Sequence, residues 1–241
     1  MEMAKDVRVA IDMNKGDDPL ILEGDTDTLT LDEIILSKLP DAVRIVELEA
    51  PHVMLEGGRD FMDCAEAYPL DKNSNSLDKN SGPLEDNSEA NPSDENSGQG
   101  ILWGENGKGS IFLPDDFLRL VSFRMSDWER TVYEAISEHD ARYALQSSRW
   151  GGIRGNPEKP VVAIVRGSGG KVLEFYSCRD ATATIAEAHY LPIPKIDSEG
   201  KISVSEECYR PAVYRAASLA LASVGDQLST VMLELSRSLL H

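Results

Sequence analysis

Catalysis needs a few reactive residue types brought together, and this sequence holds few of them in useful spacings. His52, His139, His189 and His241 lie far apart, with no i, i+4 pair to grip a metal ion. Cys64, Cys178 and Cys208 form no C-x-x-C, so neither a zinc site nor a redox pair is indicated. Asp115 and Asp116 are adjacent, and in an extended strand they point to opposite faces, which prevents them from acting as a carboxylate pair. Ser168 sits in G-S-G-G, but the phosphate-loop spacing G-x-x-x-x-G-K-[ST] is missing and the run suits a hairpin turn. No G-x-S-x-G occurs. These absences predict a noncatalytic protein with no cofactor and no bound metal.

What the sequence does concentrate is recognition chemistry. The run S-S-R-W-G-G-I-R-G-N-P-E-K-P places Arg149, Trp150, Arg154 and Lys159 in a loop punctuated by Gly151, Gly152, Gly155, Pro157 and Pro160. Trp and Arg are the residues most enriched at the energetic centres of protein interfaces. Loops held on rigid scaffolds often carry recognition. Arg149, Trp150, Arg154 and Lys159 are therefore the candidate interface; an ordinary solvated loop is the competing reading.

The chain has 241 residues and a net charge of −18, with 41% hydrophobic residues. That length supports a full core. The charge repels nucleic acid and anionic membranes at long range, which disfavours nonspecific DNA binding. An odd number of unpaired cysteines argues against a secreted disulfide scaffold. No apolar run is long enough to span a membrane, and Met1 to Asp18 does not read as a signal peptide.

The elements that must position the loop follow from periodicity. Residues 1–27 read as a flexible acidic arm, with Val7, Val9 and Ile11 alternating as in a short edge strand. Thr30 and Glu33 match a capping box, and Leu31, Ile34, Ile35 and Leu39 form a helical stripe that continues past Pro40, where a kink or restart is expected, to Pro51. Asp32, Glu47 and Glu49 give this helix an acidic face. Residues 71–100 carry a degenerate seven-residue repeat of Asp, Asn and Ser with one leucine per repeat, too little apolar surface to offset ordering, and are expected to be a disordered insertion.

Ile111 to Phe123 supplies apolar mass for a strand entered through Pro114, with Ser122 and Arg124 beginning a polar alternation. Trp128 is expected to be at least half buried. Ser137 to Ser148 reads as a helical turn or loop, V-V-A-I-V at 161–165 as a buried strand, Lys171 to Tyr176 as its hairpin partner, and Thr184 to Leu191 as a further strand. From Glu206 to Leu240 the pattern is two helices broken at Gly225–Asp226, the first slimmed by alanines. The expected fold is α+β: an N-terminal helix, a central antiparallel sheet and a C-terminal helical pair. Residues 28–241 are expected to form a single domain interrupted by the insertion.

T-L-D-E-I-I-L-S-K-L-P-D-A-V-R-I-V, G-S-I-F-L-P-D-D-F-L-R-L-V-S-F-R-M-S-D-W and Y-R-A-A-S-L-A-L-A-S-V-G-D-Q resemble segments of tailed-bacteriophage head–tail connector, or adaptor, proteins. The pattern is closest to those of short-tailed and crAss-like phages. The resemblance covers about residues 28–60 and 109–240, and the 71–100 insertion departs from it. It implies a virion structural protein, assembled in the bacterial host cytoplasm into a homo-oligomeric ring, commonly a dodecamer. Such a ring binds portal protein on one side and tail proteins on the other, and DNA passes through it as cargo without specific binding. The family brings no catalytic residues. Read without the resemblance, the chain also fits a non-enzymatic regulatory or host-interaction binding module, or a hydrolase with an unusual site.

Overall fold

The computed structural model describes residues 2–15, 30–55, 58–60, 100–150, 152–167 and 169–241. The architecture is α+β, as the periodicity predicts. The described residues group into two compact units: one is drawn from 1–58, 116–121 and 191–241, the other from 59–115 and 122–190. Of the expected 71–100 insertion, all but Gly100 lies outside the described residues.

The first unit is helical. Helix α1 (Glu2–Lys15) occupies much of what was expected to be a flexible arm; residues 16–27 of that arm lie outside the described residues. Met3, Val7 and Ile11 are buried on it. They lie four apart, so they share one stripe, and this helical spacing prevails over the shorter Val7–Val9–Ile11 alternation. Helix α2 (Leu31–Glu49) starts at the expected capping box: Thr30 Oγ1 accepts from the Glu33 N–H at 3.4 Å, and the Glu33 carboxylate accepts from the Thr30 N–H at 2.8 Å. These bonds hold the Glu33 carboxyl below its usual pKa. Pro40 neither ends nor restarts the helix, which runs through it as one element. The proline removes one backbone donor, and Leu39, Ala42, Val43 and Val46 around it stay buried in the helical core.

Helices α4 (Tyr209–Ser223) and α5 (Leu228–Ser238) form the C-terminal pair. Ala212, Ala216, Ala217 and Ala220 are buried on α4, and small side chains there let α1, α2 and α5 all pack against it. Gly225 ends the first helix at φ 74°, a left-handed conformation that costs glycine little. Two buried hydroxyls staple the pair: Ser236 Oγ donates to Pro211 O at 2.8 Å, and Ser218 Oγ to Ser229 O at 2.7 Å. On α5 Met232 is buried and Val231 is exposed, and Leu239, just past its end, is exposed as well.

The second unit is built on strands. β1 (Arg59–Asp60), β8 (Ile185–Pro192) and β4 (Phe117–Met125) make one sheet in that order. β2 (Leu102–Trp103), β3 (Gly109–Phe112), β7 (Gly170–Phe175), β6 (Val162–Gly167) and β5 (Ile136–Ser137) make another. Its pairs are antiparallel except β5–β6, which is parallel. β6 and β7 form the expected hairpin, closed at Gly167↔Gly170. Strands β4 and β8 each continue along the chain from one unit into the other.

Trp128 is 3% exposed and sits in an aromatic cluster, 5.6 Å from the Phe123 ring and 6.2 Å from Phe175; Trp103 meets Phe175 edge-on at 5.6 Å. Such edge-to-face contacts match the electropositive rim of one ring to the face of the next. Ser122, expected on the polar side of β4, is instead buried, because its hydroxyl meets His189 Nδ1 at 3.0 Å.

Candidate functional site

The 149–159 loop borders a concave site of about 360 Å³ within the sheet unit. Its position is set by a chain of local bonds. A short helix, α3 (Ala141–Leu145), is capped by Asp140, whose Oδ1 accepts from the Arg142 N–H at 2.8 Å. The Arg142 guanidinium closes back on the same carboxylate at 2.7 Å, and these two contacts hold the Asp140 carboxyl down to about 2. Gln146, just past α3, is buried and works as a bracket: Nε2 donates to Arg142 O at 2.9 Å, while Oε1 accepts from the Gly155 N–H at 2.8 Å. Gly155 is required there, since a Cβ would lie 2.4 Å from Ser177 Oγ. Asn156 Oδ1 accepts from the N–H groups of Glu158 and Lys159, each at 3.0 Å, tightening the far end of the loop.

A polar network made by Lys108, Tyr143, Glu174 and Tyr176 adjoins the site. Glu174 Oε2 accepts from Tyr143 OH at 3.1 Å and from Tyr176 OH, and Oε1 lies 3.2 Å from Lys108 Nζ. The lysine also stands over the Tyr176 ring, 5.2 Å from its centroid. Burial, and then the bond to the carboxylate, push the Tyr176 phenol up; burial does the same for Tyr143. Both phenols therefore stay protonated at neutral pH and act as donors, not as bases.

Arg149 and Arg154 line the site. Arg154 Nη1 donates to Asn106 O at 2.8 Å, and its buried Nε has no hydrogen-bond partner among the described residues. Arg149 lies 5.4 Å from the Trp150 ring. Trp150 is 64% exposed and Ile153 52% exposed. Of the four expected interface residues, the structure brings Arg149, Trp150 and Arg154 to one place; Lys159 sits apart, paired with Asn156 across the turn.

Sequence reasoning missed Lys108, Glu174 and Tyr176 as companions of the loop. A signal was present: Glu174 and Tyr176 are two apart at the end of an alternating strand, so they share a face. The register Gly109↔Phe175 then carries Lys108 toward Tyr176.

Ser122 Oγ and a Glu187 oxygen both approach His189 at Nδ1, at 3.0 and 3.9 Å. A proton relay needs the hydroxyl and the carboxylate on opposite ring nitrogens, so this trio does not form one. Burial pushes the Cys178 thiol up to about 12 and the Cys208 thiol to about 11, and a protonated buried thiol is a poor nucleophile. Cys64 lies outside the described residues. Among the described residues, no cluster of three His, Cys, Asp or Glu side chains can hold a metal ion, and no helix is long and apolar enough to cross a membrane.

On the acidic face expected on α2, Glu47 is buried, 3% exposed, instead of facing solvent, whereas Asp32 and Glu49 keep 74% and 45% of their side chains exposed, 3.4 Å from Arg8 and paired with Arg215 respectively. Burial pushes the Glu47 carboxyl up to about 7, offset in part by the Ser205 N–H at 3.3 Å. Arg119 Nη1 donates to the Glu47 and Ala50 carbonyls at 2.7 and 2.6 Å, closing the end of α2. No protein-family model matches this chain, and no curated protein is significantly similar to it.

Proposed function

We propose that this protein is a noncatalytic virion structural protein that forms a homo-oligomeric ring at the head–tail junction of a tailed bacteriophage, between portal and tail proteins. The observation that carries this reading is the exposed Arg149–Trp150–Ile153 surface on a loop fastened to α3 and the sheet. A large aromatic residue costs free energy in water and is favourable when a partner covers it. The three sequence segments that resemble head–tail adaptor proteins supply the direction of the inference.

A closed ring needs two different surfaces on each copy, because its contacts run head to tail. The loop is one. The second is drawn from the exposed apolar side chains of the helical unit, such as Met13 and Val53. A net charge of −18 suits a channel through which DNA passes without being held.

The test is size-exclusion chromatography with multi-angle light scattering on the full chain, alone and with the portal protein of the same phage. A closed oligomer, or a stoichiometric complex with portal, is expected. A protein that remains monomeric or dimeric under both conditions overturns the ring and points to a regulatory or host-interaction module.

A further inference from the structure

We infer that the concave site beside Arg149 and Arg154 is a carboxylate receptor, filled by an Asp or Glu side chain from a second copy of this chain. The inference rests on the ring reading above and names what the loop would grip.

The charges of the site lead to this ligand. Lys108 is matched by Glu174 at 3.2 Å, so that pair presents little net charge. Arg154 and Arg149 have no carboxylate within ion-pair distance among the described residues. Asn106 O holds Arg154 through Nη1, and Nη2 makes no hydrogen bond among the described residues. The Arg149 guanidinium lies 5.4 Å from the Trp150 ring and makes no hydrogen bond or ion pair among the described residues. Glu105 is the acidic residue of the lining, and it forms no ion pair with either arginine. Two guanidinium groups in a site of about 360 Å³, one of them fixed in place, suit a planar carboxylate that accepts two N–H bonds at once.

The flanking side chains indicate a protein rather than a free ion. Trp150 and Ile153 are both exposed beside the arginines. Apolar anchors next to a cationic pocket fit an acidic residue carried on a folded surface, with the rings and methyls covered as the carboxylate enters. A second copy supplies such surfaces in excess, with 42 Asp and Glu against 24 Lys and Arg. Two copies of charge −18 repel each other at long range, but that repulsion is screened beyond about 8 Å at physiological ionic strength. The arginine contact acts inside that distance.

Two measurements on the full chain test this. Binding of capped tetraglutamate, capped tetraglutamine and inorganic phosphate is measured by isothermal titration calorimetry. Self-association is measured by sedimentation velocity. Both are repeated on Arg149→Glu/Arg154→Glu and on Arg149→Glu alone, each checked by circular dichroism; the single variant alters an exposed side chain with no hydrogen bond or ion pair among the described residues and serves if the double variant does not fold.

Tetraglutamate is expected to bind the parent while tetraglutamine does not, with at least a tenfold loss in the variants and a matching loss of self-association. A parent that ignores tetraglutamate, or takes phosphate equally well, overturns the carboxylate receptor whatever its assembly state. Folded variants that assemble like the parent overturn it and leave the ring reading standing. A parent that never self-associates removes the ring and, with it, the second copy as occupant.

Discussion

Each unit of the molecule holds a carboxylate away from water, and the two are treated in opposite ways. Glu47, in the helical unit, is 3% exposed and receives one side-chain hydrogen bond, from the Ser205 N–H at 3.3 Å. Glu174, in the sheet unit, keeps 15% of its side chain exposed and is met by two phenols and a lysine. The first is a carboxyl stranded in apolar packing, for which the neutral form is cheaper. The second is a carboxylate with its lone pairs occupied, and it holds Lys108, Tyr143 and Tyr176, which line the concave site. Burial alone therefore does not mark a functional acid; the donors around it do. The comparison also separates how the units cohere: alanine-slimmed helices in one, an aromatic cluster around Phe175 in the other.

The largest effect expected tests the aromatic cluster. Trp128→Ala removes a 3% exposed ring that touches Phe123 and Phe175, and should lower stability by about 3–5 kcal/mol in chemical denaturation. A loss under about 1 kcal/mol would mean that the cluster does not hold the sheet unit together.

Glu47 comes next, through pH. Its folded-state carboxyl sits at about 7, above the ordinary 4.5 of an unfolded chain, so between those values the folded state binds more protons. Stability must then fall as pH rises through this window. A shift of this size corresponds to about 3 kcal/mol, fully lost above pH 7. Glu47→Gln should flatten the dependence between pH 5 and pH 8 and be more stable than the parent at pH 8, by roughly 1–2 kcal/mol after the amide's own burial cost. A parent and variant with parallel pH curves would place the Glu47 carboxylate in contact with water.

Much of this framework was legible in the sequence. The Thr30–Glu33 capping box, the 161–176 hairpin, the Gly225 break and the burial of Trp128 follow from local rules that tertiary contacts here reinforce. The errors came where short patterns conflict or where packing decides. Val7, Val9 and Ile11 satisfy a strand over five residues, while Met3, Val7 and Ile11 satisfy a helix over nine, and the longer register prevails. Glu47 looks like any acidic residue on a helix until α4 and the preceding turn at Ser205 close over it. The candidate loop was legible by composition, but the concave site also needs Lys108 and Tyr176, brought together by the register of β3 on β7, and strand register between distant segments is not written in either segment alone.

The smallest expected effect sharpens the contrast between the two acids, because the same substitution is predicted to have the opposite sign. Glu174→Gln keeps the side-chain volume but replaces one of two acceptor oxygens with a donor. Tyr143 and Tyr176 both donate to Oε2, so one orientation of the amide still serves them, as a neutral and weaker acceptor. Lys108 loses its carboxylate at 3.2 Å, and that pair is partly exposed, so its own contribution is below about 1 kcal/mol. The sum should be a destabilisation of about 1 kcal/mol, measured at pH 8 beside the gain from Glu47→Gln. Freed of Glu174, Lys108 would add its charge to those of Arg149 and Arg154, so Glu174→Gln should also tighten tetraglutamate binding a few-fold. If both Gln variants move stability in the same direction, donor count is not what distinguishes the two carboxylates, and burial alone governs them.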